Sequence, residues 1–350
     1  MQIVARNVCH ALPLGLDHLM SYGVAEPSRA GDVLVAPSPI TTVYHAPWER
    51  VLFSAARDAN PFFHLAESMW MLAGRNDAEY LDRFVHDFSL RFANDGILRG
   101  SYGHRWRKHW HMDQLVRIAQ RLRSNPHDRQ IVLGMWDPAV DLQGVPAKAH
   151  LQRDGIKDIP CNTHAYFRVR EGKLDMTVCC RSNDIIWGAY GANAVHFSFL
   201  QEYMAARIGV EIGLYYQMSN NFHAYVSEIK RLEAKASNLF FGLFDNRYLS
   251  DKIPTIPLVD DPTTFDEEVV LVLNHANRGK MQNKFLSETV APALRAHACW
   301  KSGRLPDTEL SRIAAEDWRI ACTEWITRRQ QSRATRAEAD KSPATTPGHT

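Results

Sequence analysis

Near the middle of the chain two β-rich runs meet at a Glu-Gly pair. Ala165-Tyr166-Phe167-Arg168-Val169-Arg170 is followed by Glu171-Gly172 and then by Leu174 to Cys180. β-branched and aromatic residues on both sides of a Gly-bearing turn predict a β-hairpin. Ile131 to Trp136 predicts a further strand. Three stretches carry apolar residues at helical spacing: Asn60 to Ala73, Met112 to Leu122, and Asn193 to Ile208. The middle one ends at Ser124-Asn125-Pro126. Strands gathered around a hairpin, with helices outside them, give an α+β class rather than a doubly wound parallel sheet.

Composition then excludes several classes. A hydrophobic fraction of 45% with 10% aromatics over 350 residues fills a sizeable core, so the chain is neither disordered nor fibrous. Lys+Arg 41 against Asp+Glu 39 leaves +2, which recommends neither DNA nor an acidic membrane as partner. Six cysteines are too sparse for a disulfide-stapled secreted scaffold. The opening MQIVARNVCHALPLG lacks the apolar run and small-residue cleavage site of a leader. The longest stretch free of Asp, Glu, Lys and Arg, Ile185 to Gln201, is shorter than the ~20 residues of a membrane helix. The expectation is a soluble protein of a reducing cytoplasm. Residues 1–327 read as one continuous domain with no linker or fixed repeat. Large apolar residues vanish from Arg328 to Thr350, which reads as a basic, disordered tail.

Several residues stand out chemically. Glu67 lies among Leu65, Met69 and Leu72, where a carboxylate is costly unless paired or catalytic. His104, His109 and His111 are close in sequence, but no Cys or Asp completes a ligand set and no metal is expected. Cys179 and Cys180 are strand neighbours pointing to opposite faces, which suits neither a disulfide nor a shared metal. Neither a P-loop nor a GxGxxG occurs. Cys161 follows Ile159-Pro160 at the start of a strand, where Pro160 can present it at an edge. Arg181, in Arg181-Ser182-Asn183-Asp184, would favour its thiolate; a buried, inert cysteine is the alternative. Arg29 (PSRAG), Arg129 (NPHDRQ) and Arg181 sit in turn contexts suited to bidentate phosphate binding, with Ser182 able to add a hydroxyl. Solvated arginines are the alternative there.

Taken in order, HLAESMWMLAG, YGHRWR, DRQIVLGMW, IPCNTHAYFRV, CCRSNDIIWG and SNNFHAY resemble the thymidylate synthase family. They are more similar to its pyrimidine nucleotide hydroxymethylase branch: the phage deoxycytidylate and deoxyuridylate hydroxymethylases and the CMP hydroxymethylase of antibiotic pathways. The resemblance spans about Arg29 to Tyr225. It implies a thymidylate synthase-like fold, a mixed sheet flanked by helices, with a sheet face used for homodimerisation. It also implies 5,10-methylenetetrahydrofolate as co-substrate, no metal, and a phage or bacterial cytoplasm. By the same resemblance Cys161 is the nucleophile that adds to C6 of the pyrimidine, Glu67 organises water and proton transfer, and Tyr102 serves proton removal from C5. Arg29, Arg129, Arg181 and Ser182 bind the phosphate, Arg129 being donated across the dimer interface; where the family has a second arginine beside it, this chain has Gln130. His223 and Tyr225 hold the sugar hydroxyl, and Asp184, with Trp187 and Gly188, lies on the folate side.

The departures set the expected reaction. No Trp occurs at Phe88 to Phe92, where the family's indole wall falls, and the apolar C-terminal segment that seals a synthase site is missing. Cys180 stands where the synthases have Gln. A less sealed site lets water trap the exocyclic methylene, giving a 5-hydroxymethyl product. C5-methylation with the folate as hydride donor, and a non-catalytic nucleotide- or nucleic-acid-binding descendant, are the alternatives. The base is read at Ala192 without a gap, or at Asn193 with a one-residue insertion. The order of expected substrates is dCMP, dUMP, then CMP.

Overall fold

The computed structural model describes residues 1–142, 158–235, 244–274 and 281–339. Eight strands form one sheet: β1 (Gln2–Ala5), β2 (Val24–Glu26), β3 (Val33–Val35), β4 (Ile40–Tyr44), β5 (Val132–Gly134), β6 (Asn162–Arg170), β7 (Lys173–Asp184) and β8 (Glu211–Tyr225). The order is β1-β4-β8-β7-β6-β5, with β2 paired to β3 and β3 to β8. β7 and β8 run parallel, as do β1 and β4, and the other pairs are antiparallel. The sheet is therefore mixed, as the class implies.

The hairpin forms where expected. Glu171 (φ 50°) and Gly172 (φ 73°) both adopt left-handed conformations, the pattern of a two-residue turn matched to strand twist; the second position has glycine, which meets no Cβ penalty there. Alternation then separates two faces. Leu133, Ala165, Phe167, Met176, Val178 and Tyr215 are buried, on the side where the Asn193–Ile208 helix packs against β7 and β8. On the other side Val132, Tyr166 and Met218 are 51%, 45% and 38% exposed.

The helix bearing Glu67, Pro61–Leu72, starts with Pro61 at its first position and with the Asn60 side chain accepting from the Phe63 N–H at 3.1 Å. It packs against both the Asn193–Ile208 helix and a short helix, Tyr102–Arg107. That second contact depends on Gly103: a Cβ there would lie 2.1 Å from the Met71 carbonyl oxygen. Backbone meets backbone at this point, which brings Tyr102 beside the Glu67 helix.

The C-terminal expectation needs correction. The Glu316–Ala339 helix continues through the segment read as tail. Arg328 and Arg329 pair with Asp58 at 3.2 and 3.0 Å, and the Arg329 guanidinium stacks 3.6 Å from the Trp325 ring centroid. The arginines that made the segment look solvated are docked on carboxylate and indole. Residues 340–350 lie outside the described residues. Among the described residues no helix is long and apolar enough to cross a membrane.

Candidate active site

Cys161 immediately precedes β6 and is half-buried. Its carbonyl accepts from the Arg181 N–H at 2.8 Å, joining it to β7. The Arg181 guanidinium folds back over the same loop, donating from Nε to the Pro160 carbonyl (3.0 Å) and from Nη2 to that of Ile159 (3.1 Å). Some of its five donors thus fix the nucleophile's loop, and the rest are left for an anion. Burial pushes the Cys161 thiol up, and Asp158 adds to this, while Arg181 and Arg29 pull it down. The arginine effect read from the sequence is present with the expected sign, but burial outweighs it.

Tyr102 caps the loop from the helix side. Its hydroxyl oxygen accepts from the N–H groups of both Cys161 and Asn162, each at 3.1 Å. With both lone pairs engaged, the phenol has only its O–H to offer. Burial, the largest effect, and the two nearby thiols of Cys161 and Cys180 raise its pKa well above the ordinary value. Tyr102 is therefore a proton-carrying hydrogen-bond donor at neutral pH, not a free base.

Glu67 is 9% exposed. Burial, with the Asp158 carboxylate nearby, pushes its pKa up to about 8. His196 Nε2 lies 3.2 Å from Oε2, yet the geometry leaves that nitrogen without a hydrogen bond. Burial and His64 hold His196 far below its ordinary value, so the contact joins two neutral groups rather than an ion pair. A neutral, buried carboxylic acid beside the nucleophile's loop can give a proton at pH 7.

Beneath this loop runs a chain of amides. Asn162 Nδ2 donates to Asn193 Oδ1 (3.1 Å), Asn193 Nδ2 to Asn183 Oδ1 (2.9 Å), and Asn183 Nδ2 to Ser219 Oγ (2.9 Å). Asn193 reaches this position through a π-type turn over Ile185–Ala192, closed by the Asn193 N–H on the Gly188 carbonyl. Such a turn accommodates one extra residue. Asn193, not Ala192, thus stands next to Asn162, the residue that follows the nucleophile.

Asp184 ends β7, and its Oδ1 accepts from the N–H groups of Ile186 (3.0 Å) and Trp187 (2.6 Å). Its Oδ2 is buried without a partner. Trp187 is 52% exposed, with the Arg57 guanidinium 4.5 Å and that of Arg231 5.8 Å from its ring. Asp184 is in register with His223, whose ring meets that of Tyr225 at 5.7 Å. Because β3 pairs Val35 with His223 and Val33 with Tyr225, the turn bearing Arg29 is held at this same end of the sheet. Ser182 is in register with Asn221 beside it.

One expectation falls elsewhere. Arg129 is exposed in the turn before β5 and has no ion pair or hydrogen bond among the described residues. The histidine trio forms no ligand set: His109 Nε2 is bonded to Asp137 at 2.7 Å, and among the described residues no three metal-ligating side chains cluster. Asp158, Asn162 and Asn183 stand at the site without any role having been read for them from the sequence. Only Asp158 had a signal, its place three residues before Cys161.

The arrangement has the parts of a pyrimidine C5 one-carbon transferase: a loop thiol, a neutral buried acid, and polar groups gathered at one end of a mixed sheet. A thymidylate synthase family model matches residues 54–241, and the chain belongs to the thymidylate synthase family. Over 97% of its length, and 98% of the relative's, it is 45% identical to a deoxyuridylate hydroxymethyltransferase of Pseudomonas phage M6. A second deoxyuridylate hydroxymethyltransferase, of Bacillus phage SP01, is 36% identical over 57% of this chain and 54% of its own. A putative thymidylate synthase of Methanothermobacter marburgensis is 30% identical over 47% and 64%. Within the family the chain groups with the hydroxymethylase branch.

Proposed function

We propose that the protein transfers a hydroxymethyl group to C5 of dUMP through a covalent adduct between Cys161 and C6. The observation that carries this reading is the neutral Glu67 acid within a site whose nucleophile is a loop cysteine held by Tyr102 and Arg181. C5 is a poor nucleophile until a thiolate adds at C6. The raised thiol of Cys161 leaves room for the substrate to act: a dianionic phosphate bound by Arg29, Arg181 and Ser182 fixes C6 against the sulfur. His223 and Tyr225 hold the sugar.

Methylenetetrahydrofolate supplies the one-carbon unit. The residues present fit a folate: the unpartnered Asp184 Oδ2 is a ready acceptor for pterin N–H groups, and the Trp187 indole offers an aromatic face. Gly188 lies in the same turn. Glu67 gives its proton to the folate nitrogen, and the carboxylate so formed takes the C5 proton through a water that the Tyr102 O–H orients.

The sequence favoured dCMP. Two supports move the proposal to dUMP: the names of the phage relatives and the placement of Asn193, whose Nδ2 has one N–H beyond that given to Asn183. An amide N–H suits O4 of uracil. The test is to incubate dUMP, dCMP and CMP separately with formaldehyde and tetrahydrofolate and weigh the products. The 5-hydroxymethyl derivative of dUMP is expected, with no dihydrofolate absorbance. Dihydrofolate formation would mean methylation, and product from dCMP alone would restore the first preference.

A further inference from the structure

Asp158 lies three residues before Cys161, where its Oδ2 accepts from the Gly100 N–H at 2.9 Å. Gly100 is two residues from Tyr102, so the bond ties Asp158 to the same segment that caps the nucleophile's loop. The fit is close: a Cβ on Gly100 would lie 3.0 Å from Asp158 Oδ1 and 2.9 Å from the Pro160 nitrogen. The charged groups acting on this carboxyl are few. Burial raises its pKa to about 6, with Asp141 adding; the Gly100 N–H and Arg105 oppose. Arg105 is itself held by Asp141 at 2.6 and 2.8 Å, so that pair's net field is small. Asp158 in turn raises both Glu67 and Cys161.

Two carboxyls near one nucleophile, raised chiefly by burial to about 6 and about 8, together carry about one proton at pH 7. That matters for the reaction proposed above, on which this inference rests. Hydroxymethylation removes one proton from C5 and one from water, and delivers two to folate nitrogens. A lone carboxyl would make all four transfers in turn. A pair offers an acid and a base together. Their positions divide the work, since Glu67 lies on a buried helix face while Asp158 is partly exposed on the nucleophile's own loop.

We propose that Asp158 is the base that activates the incoming water. The water O–H bond breaks and its proton passes to the Asp158 carboxylate, while the oxygen bonds to the exocyclic methylene carbon of the nucleotide. The methylene π electrons move toward C5 and C4–O, and their return forms the C5–C6 double bond and expels the Cys161 thiolate. The thiolate recovers the proton from Asp158.

Asp158→Asn keeps an acceptor for the Gly100 N–H but removes the base. The experiment follows tritium release from C5, hydroxymethyl product, and the thioether formed when a small external thiol captures the methylene, which needs no base once the thiol is ionised. In the variant, hydroxymethyl product is expected to fall about 100-fold or more. Tritium release should fall less than about tenfold, and thioether should become the main product. Equal losses of tritium release and product, or no loss, would overturn the assignment. The wild-type arm separates the two ideas, because absence of hydroxymethyl product there refutes the reaction and not the residue alone. Should the variant fail to fold, the wild-type ratio of hydroxymethyl to thioether product, at constant thiolate concentration, is read against pH. It is expected to rise through about pH 6; a flat ratio rejects Asp158.

Discussion

Glu67 shows how function and stability oppose each other at one residue. Its carboxyl is neutral in the fold up to about pH 8 and ionises near 4.5 when exposed. Between those values the folded state holds a proton that the unfolded state has lost, so this residue makes stability fall as pH rises, with the loss complete above about 8. Glu67→Gln removes the titration and keeps the shape. It is expected to melt several degrees above the wild type at pH 8.5 and nearer to it at pH 5, while product formation drops about 100-fold or more. Equal melting-temperature differences at both pH values would show that the carboxyl is not held neutral. Glu67 and Cys161 were legible because each breaks a local rule, an acid on an apolar helix face and a cysteine after proline at a strand start, whereas Tyr102 was read only through the resemblance. Asn162 and Asp158 break none. Their chemistry depends on Asn193 and Gly100, which the fold brings to them from 31 and 58 residues away.

Elements were legible wherever a local pattern decided them, and misread where tertiary contact did. The hairpin needed only its alternation and Gly172. The Asn193–Ile208 helix needed only its apolar run, although it is preceded by a π-type turn that periodicity could not reveal. The Glu316–Ala339 helix is the opposite case, because its second half has arginines where a docked helix usually has leucines. Those arginines face Asp58, Trp325 and Trp300, the Arg333 guanidinium lying 4.9 Å from the Trp300 ring. Half-exposed pairs of this kind are each worth about 0.5–1 kcal/mol. Ending the chain at Thr327 removes them together and is expected to lower the melting temperature by a few degrees, with increased tryptophan exposure. An unchanged melting curve would mean that the segment adds nothing to the fold.

At the scale of the whole molecule, the described residues leave one expected ligand out of place. Arg29, Arg181 and Ser182 stand at the end of the sheet where Cys161 lies, whereas Arg129 sits in the turn before β5 with no partner among the described residues. Val132, Tyr166 and Met218 stand exposed on the neighbouring sheet face. Val132 and Tyr166 are directly paired across β5 and β6, so they form a continuous apolar surface rather than scattered residues. A two-fold pairing of this face would cover it and carry the Arg129 turn of one protomer toward the site of the other. The proposal that Arg129 acts in the partner's site has a stoichiometric consequence. Cys161→Ala and Arg129→Ala chains are each expected to be inactive alone. In a mixed dimer the site with an intact Cys161 receives an intact Arg129 from its partner, while the other site lacks both. Equal amounts exchanged to equilibrium should therefore regain about one quarter of wild-type activity, since half of the dimers are mixed and one site works in each. If Arg129 served its own protomer's site, no mixture would regain activity.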